Sequence, residues 1–138
     1  MGYYSQVSIA IEFPSTQHLK EFVAVQRTIP DRNLALERWQ VVDKVLFYTN
    51  ECTKWYDDFP EVQAHMAVLK EANDQGFATS FLRLGEEYDD TEQEFTTGEH
   101  SDYTDPPSGY YLLSAQRHIE LEFSSARATS VKDFIQGE

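Results

Sequence analysis

Val7, Ile9, Ile11 and Phe13 alternate with Ser8, Ala10 and Glu12, a period of two that predicts a half-buried strand ended by Pro14. Ser15 or Thr16 is suited to cap a following helix whose stripe, Leu19, Phe22 and Val23, has the three- and four-residue spacing of one helical face. Pro30 should end that helix. Residues 36–42 and 45–55 are rich in β-branched and aromatic side chains and read as two strands joined by a tight turn at Asp43-Lys44. The sharpest local signal is Asp58-Phe59-Pro60-Glu61. There Asp58 is placed to cap a first turn, Pro60 sits where its missing N–H costs nothing, and Glu61 would complete a capping box. Phe59, Val62, Met66 and Leu69 continue this as a helical stripe, and Gly76 suits the left-handed conformation that closes a helix. A strand over 77–84 follows, then one over 117–123 with Ile119, Leu121 and Phe123 on one face, and a short helix over 131–135.

This order predicts an α+β fold, an antiparallel sheet with two helices on one face. Its first six elements fit a ferredoxin-like βαββαβ arrangement, followed by an acidic excursion and an extra C-terminal strand. A length of 138 residues suits one domain, and 41% apolar residues, with Phe 9 and Tyr 8, supply a core. No apolar run approaches the ~18 residues of a membrane span. The start of the chain lacks the basic and apolar regions of a secretory signal, and Cys52 is the only cysteine. Cytoplasmic localisation is the expectation.

Charge changes this picture most. The formal net charge is -13, which argues against direct nucleic-acid binding and favours cationic partners. Between Arg83 and Arg117 there is no Lys or Arg, yet nine of the 24 acids fall there: Glu86, Glu87, Asp89, Asp90, Glu92, Glu94, Glu99, Asp102 and Asp105. Residues 85–109 are therefore an acidic excursion within the domain, with Tyr88, Phe95 and Tyr103 interleaved. Aromatics inside a charged strip can serve as interface anchors, because they bury area at low entropic cost. Wound as a helix at ~1.5 Å per residue, Glu86 to Glu94 would carry about one charge per 2.2 Å; extended at ~3.3 Å per residue, about one per 5 Å. Duplex DNA carries one per ~1.7 Å of axis, so a nucleic-acid mimic needs a compact segment or extra acids from neighbouring elements. Asp57 and Asp58 are candidates for those extra acids. The expected partner-binding set is Glu86, Glu87, Tyr88, Asp89, Asp90, Glu92 and Glu94, with Trp55, Asp57 and Asp58. Against this stands a plainer reading, in which the run is a solvated loop and Trp55, Tyr56 and Phe59 form the seam between strand and helix.

Catalytic chemistry has little support in the chain. The acids lack the spacing and central glycine of an EF-hand loop, and His18, His65, His100 and His118 show no metal-ligand pairing. Each histidine reads as a surface or partly buried side chain. Cys52 lies mid-strand in an apolar context, where a packed or idle thiol is expected. No glycine-rich phosphate loop is present, and no cofactor, metal or catalytic residue is implied.

Three segments resemble a family of small uncharacterised proteins of bacteriophages and prophages. They are Met1-Gly2-Tyr3-Tyr4-Ser5-Gln6-Val7-Ser8-Ile9-Ala10, Lys54-Trp55-Tyr56-Asp57-Asp58-Phe59-Pro60-Glu61-Val62 and Phe81-Leu82-Arg83-Leu84-Gly85-Glu86-Glu87-Tyr88-Asp89-Asp90-Thr91-Glu92. The resemblance reaches from the N-terminus to about residue 94 and carries no catalytic residues. It implies a viral product acting in the bacterial host cytoplasm. With the localised charge, the expectation is a non-enzymatic module that docks on a basic surface of a host or viral protein, in its sharpest form a DNA-mimic inhibitor of a host nucleic-acid enzyme or defence system. The alternatives are a metal-dependent enzyme using the Glu86–Glu92 carboxylates and a self-associating assembly protein.

Overall fold

A computed structural model describes residues 2–87, 89–96 and 129–136. The first strand, β1 (Ser5–Glu12), lies where the alternation predicts it but is buried on both faces, Ser8, Ala10 and Glu12 included, instead of half-buried. It leads into α1 (Thr16–Gln26), whose N-cap Ser15 accepts a bond from the His18 amide. Helix α1 stops before Pro30, its last turn closed by Thr28 N–H to Val25 and Ile29 N–H to Gln26. Pro30 then opens a second helix, α2 (Pro30–Leu36), so the expected strand over 36–42 shrinks to β2 (Gln40–Val42). The reason is local. Proline at the first helical position loses no hydrogen bond, Asp31 favours the N-terminal dipole, and Leu34-Ala35-Leu36 are strong helix formers.

Strand β3 (Val45–Thr53) pairs with β2 through the expected Asp43-Lys44 turn, where Asp43 has φ 52°. It ends two residues short of the predicted Trp55. Helix α3 (Pro60–Asp74) starts at Pro60 as expected, but its N-cap is Phe59, with no side-chain cap bond. Asp58 therefore lies one residue outside the cap position. Glu61 turns to Arg38 and His65 instead of closing a capping box. From the expected stripe, Val62 and Leu69 are buried and Met66 packs on the core, whereas Phe59 is exposed. Gly76 has φ 84° and ends the helical segment, and β4 (Ala78–Leu84) follows. The acidic run then forms a turn and an unpredicted strand, β5 (Thr91–Thr96). A two-residue β6 (Thr129–Ser130) and α4 (Val131–Gln136) complete the described elements, the helix as expected. The predicted strand over 117–123 lies outside the described residues.

The six strands form one antiparallel sheet in the order β5-β4-β1-β3-β2-β6. Val7, Ile9, Ile11, Phe13, Leu46, Tyr48 and Phe81 on one face share a core cluster with Leu19, Phe22 and Val23 of α1, Leu36 of α2, Val68 and Leu69 of α3, and Val131 of α4. All four helices thus pack on the same side, because pleating sends these strand residues to that side. Ala10, Val42, Val45, Phe47, Leu82 and Leu84 form a second buried cluster, on the opposite face. Among the described residues no helix is long and apolar enough to cross a membrane.

Candidate functional site

The register of the sheet decides where the predicted site residues meet. Ser5 lies opposite Thr53 and Gln6 opposite Leu84, so the N-terminal segment, the end of β3 and the end of β4 share one end of the sheet. Trp55, Asp57 and Asp58 follow β3, and the acidic turn follows β4. Tyr3 joins the two: its amide donates to the Tyr56 hydroxyl at 2.6 Å, and its own hydroxyl donates to Asp90 Oδ2 at 2.6 Å. The Glu87 amide donates back to the Tyr3 oxygen at 3.0 Å, and the Tyr4 amide donates to Glu86 Oε2. The bond that Tyr3 donates to Asp90 raises the phenol above its ordinary pKa, since ionising the phenol would remove the donated proton. Lys54 stands 5.7 Å over the Tyr4 ring, a cation–π contact at the same end.

Arg83 anchors the acidic turn. Its guanidinium donates through Nη2 to Asp90 Oδ1 at 2.6 Å and through Nη1 to Oδ2 at 3.2 Å, a bidentate pair. Nε donates to Glu92 at 2.6 Å, and Nη1 also reaches the Ser5 hydroxyl. The bond with Asp90 and that with Glu92 raise the Arg83 pKa further, so the cation is permanent. Gly85 N–H to Asp90 O at 2.8 Å closes the turn. A side chain at Gly85 would collide with Asp90 and the Tyr3 hydroxyl, so glycine is what lets these groups approach.

This geometry divides the predicted carboxylates. Asp90 and Glu92 serve Arg83, and Glu86 holds the Tyr4 amide. Asp57, Asp58, Glu87, Asp89 and Glu94 are exposed. Glu92 and Glu94 share the face of β5 opposite Arg83 and Phe81. The segment is a turn and an extended strand, not the compact helix, and along β5 Glu92 and Glu94 stand two residues, about 6.6 Å, apart. Asp57 and Asp58, which follow β3, stand at the same end of the sheet, and so does Glu51. The sequence reading missed Glu51, which with Glu86, Tyr4 and Leu84 lines a shallow slot of about 240 Å³. The pairing of β3 with β1, which no local pattern signals, brings it there. Tyr88, Glu99, Asp102, Tyr103 and Asp105 lie outside the described residues, as does the side chain of Phe95.

Trp55 is partly buried and stacks on Tyr48 (6.1 Å) and His65 (5.7 Å), which favours the seam reading for this residue. Phe59 packs edge-on against Tyr56 at 5.0 Å. His65 departs from the sequence expectation: it is fully buried and its Nδ1 accepts from Trp39 Nε1 at 2.8 Å. Indole N–H only donates, so the imidazole proton is on Nε2. Burial lowers the His65 pKa to about 4, against the opposing pull of Glu61. Cys52, expected to be packed or idle, is an exposed free thiol.

Among the described residues no three His, Cys, Asp or Glu side chains gather as a metal site. Arg83 already occupies the position a cation would take between Asp90 and Glu92. Comparison with known proteins finds no family model, no curated protein and no solved structure that matches this chain.

Proposed function

We propose that this chain is a phage-type, acidic protein-binding module of the bacterial host cytoplasm, which docks one end of its sheet on a cation-rich surface of a host or viral protein. A nucleic-acid-mimic inhibitor of a host enzyme or defence system is the sharpest form of this reading. The observation that carries it is the Tyr3 clamp. By holding the Tyr56 and Asp90 segments together, it sets Asp57, Asp58, Glu87 and Asp89 at one end of the molecule as exposed carboxylates on an ordered frame. A pre-ordered charged surface loses less entropy on docking than a free loop. The three segments that resemble phage proteins supply the clamp, the Asp57-Asp58 pair and the turn, which supports the phage context.

The scaffold of the reading is a ferredoxin-like core. Supporting it are the order β4-β1-β3-β2 of the first four strands, α1 and α2 in the β1–β2 connection, and α3 between β3 and β4. Strands β5 and β6 and helix α4 are then additions at the sheet edges. An assembly role through β5 has less support, because Glu92 and Glu94 charge that strand and repel a second copy.

A pull-down from bacterial lysate tests the reading. The protein should retain a basic partner at low salt and release it as salt shortens the screening length below ~8 Å. The variant Asp57→Asn/Asp58→Asn/Glu87→Gln/Asp89→Asn keeps the Arg83 and Tyr3 contacts and should retain little of that partner. Equal capture by the variant, or no basic protein captured by the native chain, would refute it.

A further inference from the structure

A second surface, lined by residues outside the Tyr3 clamp, has features that the acidic end does not explain. Helices α2 and α3 leave between them a groove of about 290 Å³. Its apolar lining is Leu34, Ala35, Pro60 and Ala64, and Leu34 is 62% exposed. Carboxylates of Asp31, Glu37 and Glu61 stand around it, and Arg38 is the only cation among the described residues that line it. Asp31 and Glu37 are exposed and make no ion pair among the described residues.

Glu61 links this groove to a buried group in need of an acceptor. Its Oε1 accepts from Arg38 Nε at 2.8 Å and lies 3.7 Å from His65 Nε2. The second distance is too long for a hydrogen bond, so the proton-bearing Nε2 is buried without a partner among the described residues. Buried donors are nearly always satisfied, and an orphan directed at a groove-lining carboxylate marks an arrangement that is incomplete in the free protein.

We propose that the α2–α3 groove binds an arginine side chain of a partner protein, presented between apolar neighbours. The aliphatic stem and its neighbours cover Leu34, Pro60 and Ala64, while the guanidinium pairs with Asp31, Glu37 and Glu61. Arginine fits better than lysine because its planar fork serves two carboxylates at once, and Arg38 shows that a guanidinium is accommodated beside Glu61. The Arg38–Glu61 pair is itself exposed, and such pairs are readily exchanged. Competition for Glu61 frees Oε1 to close on His65 Nε2–H and satisfy it. Docking at the surface is thereby coupled to the buried imidazole.

That coupling has an optical readout. The chain has two tryptophans, Trp39 and Trp55, whose rings lie 6.0 Å and 5.7 Å from His65. Titration of the full chain with N-acetyl-Leu-Arg-Leu-amide at low ionic strength should give a saturable change in tryptophan fluorescence. N-acetyl-Leu-Glu-Leu-amide should give none. The apparent affinity should fall about fivefold or more in Asp31→Asn/Glu37→Gln, whose residues do not touch His65, and similarly in Leu34→Ser. It should fall far less in Asp57→Asn/Asp58→Asn/Asp89→Asn, whose charges act only at long range, so loss of the acidic-end reading and loss of this one are separable. The proposal is overturned by no saturable response to the arginine peptide, or by a response indifferent to the groove substitutions. Self-association of the protein that Leu34→Ser abolishes would also overturn it, since a second copy would then be the occupant.

Discussion

His65 is the residue whose chemistry most constrains the core. Its ring lies 4.2 Å from Tyr48, stacks on Trp55 and accepts the Trp39 indole bond, so it is neutral in the folded chain. Its folded pKa of about 4 lies below the ~6.5 of an unfolded histidine. Between those values the unfolded chain binds the extra proton, and stability must fall as pH drops. The contribution is whole above pH ~6.5, declines through the window by up to roughly 3 kcal/mol, and changes no further below pH ~4. In His65→Asn, the amide oxygen can still accept from Trp39 but nothing titrates. Denaturant unfolding at several pH values should show this variant less stable than the native chain at pH 7, with the difference shrinking towards pH 4. A constant difference across that range would mean that His65 is protonated in both states or in neither. The sequence offered no hint of this role, because Trp39, Tyr48, Trp55 and His65 meet only through tertiary packing.

Elements were legible where their signals are local. Ser15, Pro60 and Gly76 mark helix ends through their own backbone or side-chain chemistry, and each acts where the sequence placed it. Pro30 both follows one helix and opens the next, and the local pattern carries only the first of these roles. Strand β5 was hidden because Glu92 and Glu94 read as solvated charge until Arg83 on the neighbouring strand supplied a counter-ion. The Tyr3–Asp90 bond spans 87 residues, beyond the reach of any local pattern. The β2–β3 hairpin tests a local signal energetically. Asp43 sits at φ 52°, where a Cβ crowds the following carbonyl and glycine is free of that cost. Thermal unfolding should find Asp43→Gly at least as stable as the native chain. Asp43→Val should be less stable by about 1–2 kcal/mol, since a branched side chain tolerates that conformation worst. If valine were neutral, the turn would have to relax to negative φ, and the register Val42 opposite Val45 would not be required by it.

For the molecule as a whole, the question is what a net charge of -13 costs the folded state. Compaction brings like charges together, and part of that repulsion is relieved when the chain unfolds. Asp90 and Glu92 are compensated by Arg83, but Asp57, Asp58, Asp89 and Glu94 are exposed and make no ion pair among the described residues. Carboxylates that hold the fold and carboxylates reserved for a partner respond oppositely to neutralisation. Removing the first kind destabilises; removing the second relieves repulsion and stabilises at the expense of binding. The variant Asp57→Asn/Asp58→Asn/Asp89→Asn/Glu94→Gln should therefore melt higher than the native chain at low ionic strength, by about 2–4 °C for a gain near 1 kcal/mol. Added salt should raise the native melting temperature and close the gap, because at ~1 M the screening length is only ~3 Å. Melting curves followed by circular dichroism at two salt concentrations measure both effects. A variant that melts lower than the native chain in dilute buffer would show these carboxylates to be structural, and would remove the reason for regarding this end of the sheet as a surface kept for another molecule.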